Sequence, residues 1–314
     1  MAVLGLVLPL RCRPAQAQTV TLDAAGAAKA EGLGRAFETF SVFGGTPGIA
    51  AAKYYSDVNL NSYQLPVAHS FAPLESGFLS GVAPYAEITL GYLNADTSAP
   101  LEGGGPTPDS VKLSFNSYSG LAGGGVEISL GHGFKLRPIA LAGYARVDVD
   151  ARFSGPDAPL FRSALRGILN SADLDTVLLG GALELLYETE FPGDITLAAR
   201  ARYNELAAIV TGASNKGLKE NGGFGVATGG VTFTGPTDWR LAAHELRWIG
   251  YLNGTWLPDT DPGTLGFNAF AEIGGGLQLI APDVVRGVRG GTVRASAIVG
   301  PGVTGWLVSA ALDF

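Results

Sequence analysis

The feature that most constrains this chain is a two-residue alternation held over segments of ten residues or more. From Asp194 to Asn204, one face carries Ile195, Leu197, Ala199, Ala201 and Tyr203; the other carries Thr196, Ala198, Arg200, Arg202 and Asn204. A helix, with its 3.6-residue period, would mix the two sets, so the segment is an extended strand with one apolar face. In Asp175–Glu188 the face Val177, Leu179, Leu183, Leu185, Tyr187 opposes Thr176, Glu184 and Glu188. Ala86, Ile88, Leu90 and Tyr92 oppose Glu87 and Thr89. Leu246, Trp248 and Leu252 oppose Glu245, Arg247 and Asn253, and Ala269, Ala271, Ile273, Leu277 and Leu279 oppose Asn268, Glu272 and Gln278. The pattern predicts twelve strands, near 48–57, 60–72, 82–95, 117–130, 134–149, 174–189, 194–209, 223–234, 240–254, 265–280, 290–299 and 303–314, with ten as the alternative count.

Only 16% of residues are charged, against roughly 25% in ordinary soluble domains. Yet no run approaches the roughly 20 apolar residues of a spanning helix; the best, Val177–Tyr187, is interrupted by Gly180, Gly181 and Glu184. Lipid cannot satisfy exposed backbone groups, so a spanning sheet must close on itself. The expected fold is all-β, a transmembrane antiparallel up-and-down barrel. A soluble sandwich is the competing architecture, and the connections decide against it. Tight turns expected at Gly131–Gly133, Glu190–Gly193 and Gly235–Asp238 alternate with long stretches at Asp96–Ser110, Arg152–Ala172, Ala213–Gly222 and Leu257–Gly263. Outer-membrane barrels sort their connections this way, short on the periplasmic side and long outside. Gly300–Gly302 and the link near Val58 would be brief outer loops. The net charge of −7, without a basic stripe, excludes nucleic acid as a partner.

Residues 1–17 have the form of a signal peptide: Ala2–Leu10 is an apolar run, and Ala15-Gln16-Ala17 is a small-x-small cleavage pattern. Cys12, the one cysteine, lies before that cleavage point, which leaves no disulfide and no Cys-ligated metal. Residues 18–46 form a leader whose Leu22–Phe40 stretch is expected to be helical, either threading the lumen as a plug or remaining a periplasmic leader. Residues 47–314 are the barrel. Within Arg152–Ala172, Leu160, Phe161, Leu165 and Leu169 have near-helical spacing, matching either a short helix over the outer mouth or an irregular loop.

A charge on the lipid face costs roughly 2–4 kcal/mol at the midplane for Arg or Lys. The expected lumen-lining charges are therefore Glu87, Glu127, Arg146, Glu184, Arg200, Arg202, Glu245, Arg247, Glu272 and Arg294. They line a selective pore, or they fill the barrel as an internal salt-bridge network; the near balance of signs favours the network. Tyr92, Tyr187, Tyr203, Phe233, Trp248 and Trp306 fall near strand ends on the apolar face, where a ring with a polar tip suits the headgroup boundary.

The last segment, Val303–Phe314, with Trp306, Val308, Ala310, Leu312 and Phe314 on one face, resembles the terminal strand of bacterial outer-membrane proteins. That resemblance implies a signal read by the barrel-assembly machinery, residence in the bacterial outer membrane, and outer-membrane lipids as partners. The strand count, the helix before the strands, and the run Val293–Gly305 with its Gly300-Pro301-Gly302 turn are similar to the translocator domain of autotransporters. With about thirty residues between cleavage site and first strand, the resemblance implies a solitary barrel of that type.

Such a barrel is expected to be non-enzymatic, without cofactor, acting as a surface anchor or interaction protein. A porin-like small-solute pore is the alternative, and a lipid-modifying enzyme the third. The outer-membrane phospholipase family carries its Ser and His close in sequence, followed by an Asn; His69, His132 and His244 show no such arrangement, and no two lie at metal-ligand spacing.

Overall fold

Twelve strands pair antiparallel, each with its sequence neighbours, and the last closes on the first. The computed structural model describes residues 49–56, 58–75, 81–101, 109–156, 158–159, 172–214, 221–260, 262–285 and 288–313. The strands are β1 (Ile49–Tyr55), β2 (Asn59–Ser70), β3 (Val82–Leu101), β4 (Asp109–Gly131), β5 (Phe134–Ser154), β6 (Ala172–Phe191), β7 (Ile195–Ala213), β8 (Gly222–Leu241), β9 (His244–Trp256), β10 (Ala269–Val285), β11 (Val288–Gly300) and β12 (Val303–Asp313). They form one closed sheet in chain order, with β1 pairing β12 from Ile49↔Ala310 to Tyr55↔Thr304. Closure leaves no unpaired edge, the condition lipid imposes on a sheet. A single helical turn, Pro262–Leu265, sits between β9 and β10. The expected signal peptide, the Leu22–Phe40 stretch, most of the Ala158–Asn170 stretch and Phe314 lie outside the described residues.

The twelve expected strands are all present, but several are much longer than expected. β4 has 23 residues and β5 has 21, whereas roughly 9–11 tilted residues cross a bilayer. The surplus lies at the outer end, where residues expected as loop are strand: β3 runs on to Leu101 and β4 begins at Asp109. The outward-facing residues explain why. Going outward along β4 they are Leu130, Ile128, Val126, Gly124, Ala122, Gly120, then Tyr118, then Asn116, Ser114 and Lys112. On β3 they are Ala86, Ile88 and Leu90, then Tyr92, then Asn94, Asp96 and Ser98. On β2, Val67 and Leu65 precede Tyr63, which precedes Asn61 and Asn59. Tyr63, Tyr92 and Tyr118 are register partners, with ring centroids 6.0 and 5.0 Å apart. This ladder separates an apolar outward stretch from a polar one on all three strands.

The inner wall changes polarity in the opposite sense. Beyond the ladder's level, past the buried Ser62 and Ser117, the inward residues include Leu93, Ala95, Val111, Leu113, Phe115, Ala151 and Phe153, joined in one apolar cluster with Leu178, Leu206, Phe224 and Ile298. Beyond the ladder the barrel is therefore built like a soluble one, polar out and apolar in.

One expected turn is corrected. The β8–β9 hairpin turns at Ala242 and Ala243, with φ of 50° and 71°, not at Gly235–Asp238. The latter residues bulge within β8, where the register shifts between Pro236 and Arg240. Thr237 Oγ1 donates to the Leu246 carbonyl at 2.6 Å and accepts from the Trp239 N–H at 3.2 Å. Pro236 cannot donate to the ladder, and a bulge tolerates that.

Candidate functional site

In the inner half of the barrel the lumen carries charge. β5 places Arg137 inward, and its Nε and Nη2 donate to Glu127 Oε2 on β4 at 2.7 and 2.5 Å. Its Nη1 donates to Glu184 Oε2 on β6 at 3.0 Å, and its Nη2 to Ser70 Oγ on β2 at 3.1 Å. Lys135 Nζ lies 3.2 Å from Glu127 Oε1. Glu184, with no exposed surface, also accepts from Arg200 Nε on β7. The Arg137 guanidinium stacks 4.6 Å above the Tyr85 ring, whose hydroxyl donates to Glu87 Oε2 at 2.7 Å.

The network then crosses the lumen. Arg202 on β7 donates through Nη1 and Nη2 to both oxygens of Glu87 on β3, at 2.7 and 2.6 Å, while its Nε donates to Asn204 at 2.7 Å. β3 and β7 are four strands apart, so this bidentate pair spans the interior rather than running along the wall. Two-point geometry of this kind is the strong form of an Arg–carboxylate contact. Beside it lies a cavity of about 420 Å³ lined by Arg200, Arg202, Arg137, Thr228, Asn253 and Arg294, among others.

No protein-family model and no curated protein matches the sequence. The barrel is similar to the transport unit of the autotransporter AIDA-I from Escherichia coli, with a TM-score of 0.54 at 9% identity over 92% of this chain and 99% of that one. It is also similar to the translocator domain of the autotransporter NalP from Neisseria meningitidis, with a TM-score of 0.47 at 13% identity over 92% and 97%. The β domain of the Bordetella autotransporter BrkA gives 0.45 at 15% over 85% and 99%. The chain shares the barrel fold of the AIDA-I transport unit.

Within this barrel, the sequence-predicted charges divide. Glu87, Glu127, Glu184, Arg200 and Arg202 meet in the network above. Glu245, Arg247, Glu272 and Arg294 also have inward parity, and Arg294 lines the cavity beside the Glu87–Arg202 pair. Arg247 Nη2 donates to the Asp194 carbonyl at the inner rim, and Arg294 lies 5.8 Å above the Tyr251 ring. Glu245 is exposed.

Arg146 is the exception: it faces outward. It pairs with Asp148 at 3.0 Å, Asp175 at 3.5 Å and Asp173 at 3.6 Å on the outer wall. Arg146 is the register partner of the ladder residue Tyr118, and Asp175 is its partner on the next strand, so the charge meets its carboxylates at the level of the ladder, on the outward face. Sequence reasoning also missed Arg137, the hub of the network. The available signal was parity: Arg137 is nine positions from Arg146, so the two cannot share a face. Ile139 and Leu141, on Arg137's own face, gave that face an apolar look.

The six aromatic residues singled out in the sequence face outward and fall at two levels. Tyr92 is in the ladder; Tyr203, whose hydroxyl donates to Glu205 at 2.5 Å, and Trp306 also lie toward the outer side. Tyr187, packed 4.5 Å from Phe134, lies toward the inner side with Phe233 and Trp248. On β12, Trp306, Val308, Ala310 and Leu312 share the outward face.

Proposed function

We propose that this protein resides in the bacterial outer membrane as a non-enzymatic surface anchor, whose work is done by its projecting outer end. The observation that carries the reading is the apolar inner wall at that end, set above a lumen bridged by Glu87 and Arg202. A hydrated solute crossing such a barrel would have to break a two-point ion pair and then lose water against an apolar wall, a barrier that closes pores by dewetting. The strands, by contrast, carry a rigid polar surface well beyond the lipid. The outward face Trp306, Val308, Ala310, Leu312 supports delivery by the barrel-assembly machinery.

The test is conductance of the refolded full chain in a planar bilayer. The anchor reading expects silence from protein confirmed as folded and inserted; steady ohmic steps would sink it. A small-solute pore is the second reading, favoured by the guanidinium-lined cavity of about 420 Å³ in the inner half. It requires that Arg200→Glu with Arg202→Glu invert ion preference.

A further inference from the structure

The outer wall beyond the tyrosine ladder carries a groove of about 550 Å³ across β1–β4, lined by Lys53, Tyr55, Asn59, Asn61, Asp96 and Lys112, among others. We propose that this groove binds the phosphorylated saccharide headgroup of an outer-leaflet glycolipid. The inference rests on the outer-membrane placement argued above.

Height is the first argument. Asn59 and Asp96 stand four residues beyond their ladder tyrosines, and Lys112 six beyond Tyr118. At about 3.3 Å per residue and a tilt near 40°, that is roughly 10–15 Å above the headgroup boundary. The layer just outside the acyl chains is where a glycolipid's sugars and phosphates lie. Below the groove run outward columns of Leu65 and Val67 on β2, and Leu90 and Ile88 on β3. A molecule filling the groove and these columns together needs a polar anionic head and acyl chains.

The chemistry of the lining is the second argument. Lys53 and Lys112 flank the groove with ammonium groups. Asn59, Asn61 and Asp96 supply donors and acceptors for hydroxyls, and Tyr55, with the Lys53 ammonium 5.2 Å above its ring, offers a face for a sugar.

The third argument is an unresolved repulsion. Lys112 and Arg152 are direct register partners on β4 and β5, and both face outward. Like charges placed directly opposite are destabilising. Lys112 has only a loose pair with Asp96, at 3.8 Å, and no ion pair joins Arg152 to another of the described residues. A phosphate between the two cations replaces that repulsion with charge-assisted contacts.

The experiment uses the full chain refolded in vesicles and then extracted into micelles containing bis-phosphorylated lipid A, with retained lipid read by native mass spectrometry. Wild type should retain lipid A. The triple variant Lys53→Gln, Lys112→Gln, Arg152→Gln should lose at least about tenfold, since it removes each charge-assisted contact. Arg146→Gln, outside the groove and already paired with carboxylates, should behave as wild type. Equal retention by the triple variant, confirmed folded by its heat-dependent gel shift, overturns the site while leaving the membrane placement intact. So does displacement of lipid A by inorganic phosphate at equal concentration, which would show a bare anion site. A chain that never enters vesicles would sink the membrane placement and this inference with it.

Discussion

Glu87 and Arg202 hold each other across the barrel interior, both guanidinium termini on both carboxylate oxygens at 2.6 and 2.7 Å, with each side chain only about a tenth exposed. A pair so enclosed costs little while whole and much when halved, because the remaining charge has lost its solvent and its partner. Glu87→Leu or Arg202→Leu should therefore each cost roughly 3–5 kcal/mol. The double variant should cost clearly less than the sum of the two. Denaturant unfolding of the four proteins in vesicles measures this, and additive losses would mean the pair does not bridge.

Arg137 and Arg146 lie on one strand, yet their expected costs differ sharply. Arg137 serves Glu127 and Glu184, the latter with no exposed surface; Arg146 sits on the outer wall with its side chain 45% exposed. Replacing Arg137 with Gln leaves a buried carboxylate short of a cation and should cost several kcal/mol. Replacing Arg146 with Gln should cost about 0–1 kcal/mol, as exposed ion pairs do. Comparable losses in unfolding would contradict the opposite placement of the two.

The β8–β9 hairpin holds two alanines with positive φ. The left-handed conformation costs a non-glycine residue roughly 1–2 kcal/mol, and the two-residue turn with both φ positive favours Asn-Gly. Ala242→Asn with Ala243→Gly should stabilise the barrel by about 1 kcal/mol or more. No change, or a loss, in the unfolding midpoint would show that the turn adopts another form.

How much of this was legible in the sequence follows from where lipid lies. Between Leu130 and Gly120 the proposed placement puts lipid on one side and the lumen on the other, and the sequence there predicted the strand and the inward Glu127. Past Tyr118 the polarity reverses: Asn116, Ser114 and Lys112 turn outward while Phe115, Leu113 and Val111 turn inward. The two-residue period continues there, but its meaning reverses. Read with the lipid rule, those residues look like loop, and Arg146 looks like a lumen charge. The β8–β9 turn was hidden for another reason: Gly235-Pro236-Thr237-Asp238 is strong turn chemistry used for a bulge, while two alanines make the turn. The network itself was half legible, because its carboxylates and the β7 arginines alternate cleanly. Which of them meet depends on a chord between β3 and β7 that no local pattern encodes.

The polarity reversal can be tested on two adjacent residues. Arg146 is outward and half exposed, while Val147, next in sequence, is inward and buried at 1%. In a Cys12→Ser background, which removes the only native thiol, cysteine at 146 should react with a membrane-impermeant maleimide applied to whole cells. Cysteine at 147 should react only after denaturation. Val147→Cys keeps a small apolar side chain, so it should fold, and its gel shift on heating checks this. If position 147 labels on folded protein while 146 is protected, the inner and outer walls are exchanged from the ladder outward. The glycolipid groove would then face the lumen, and the apolar wall that argues against a pore would face water.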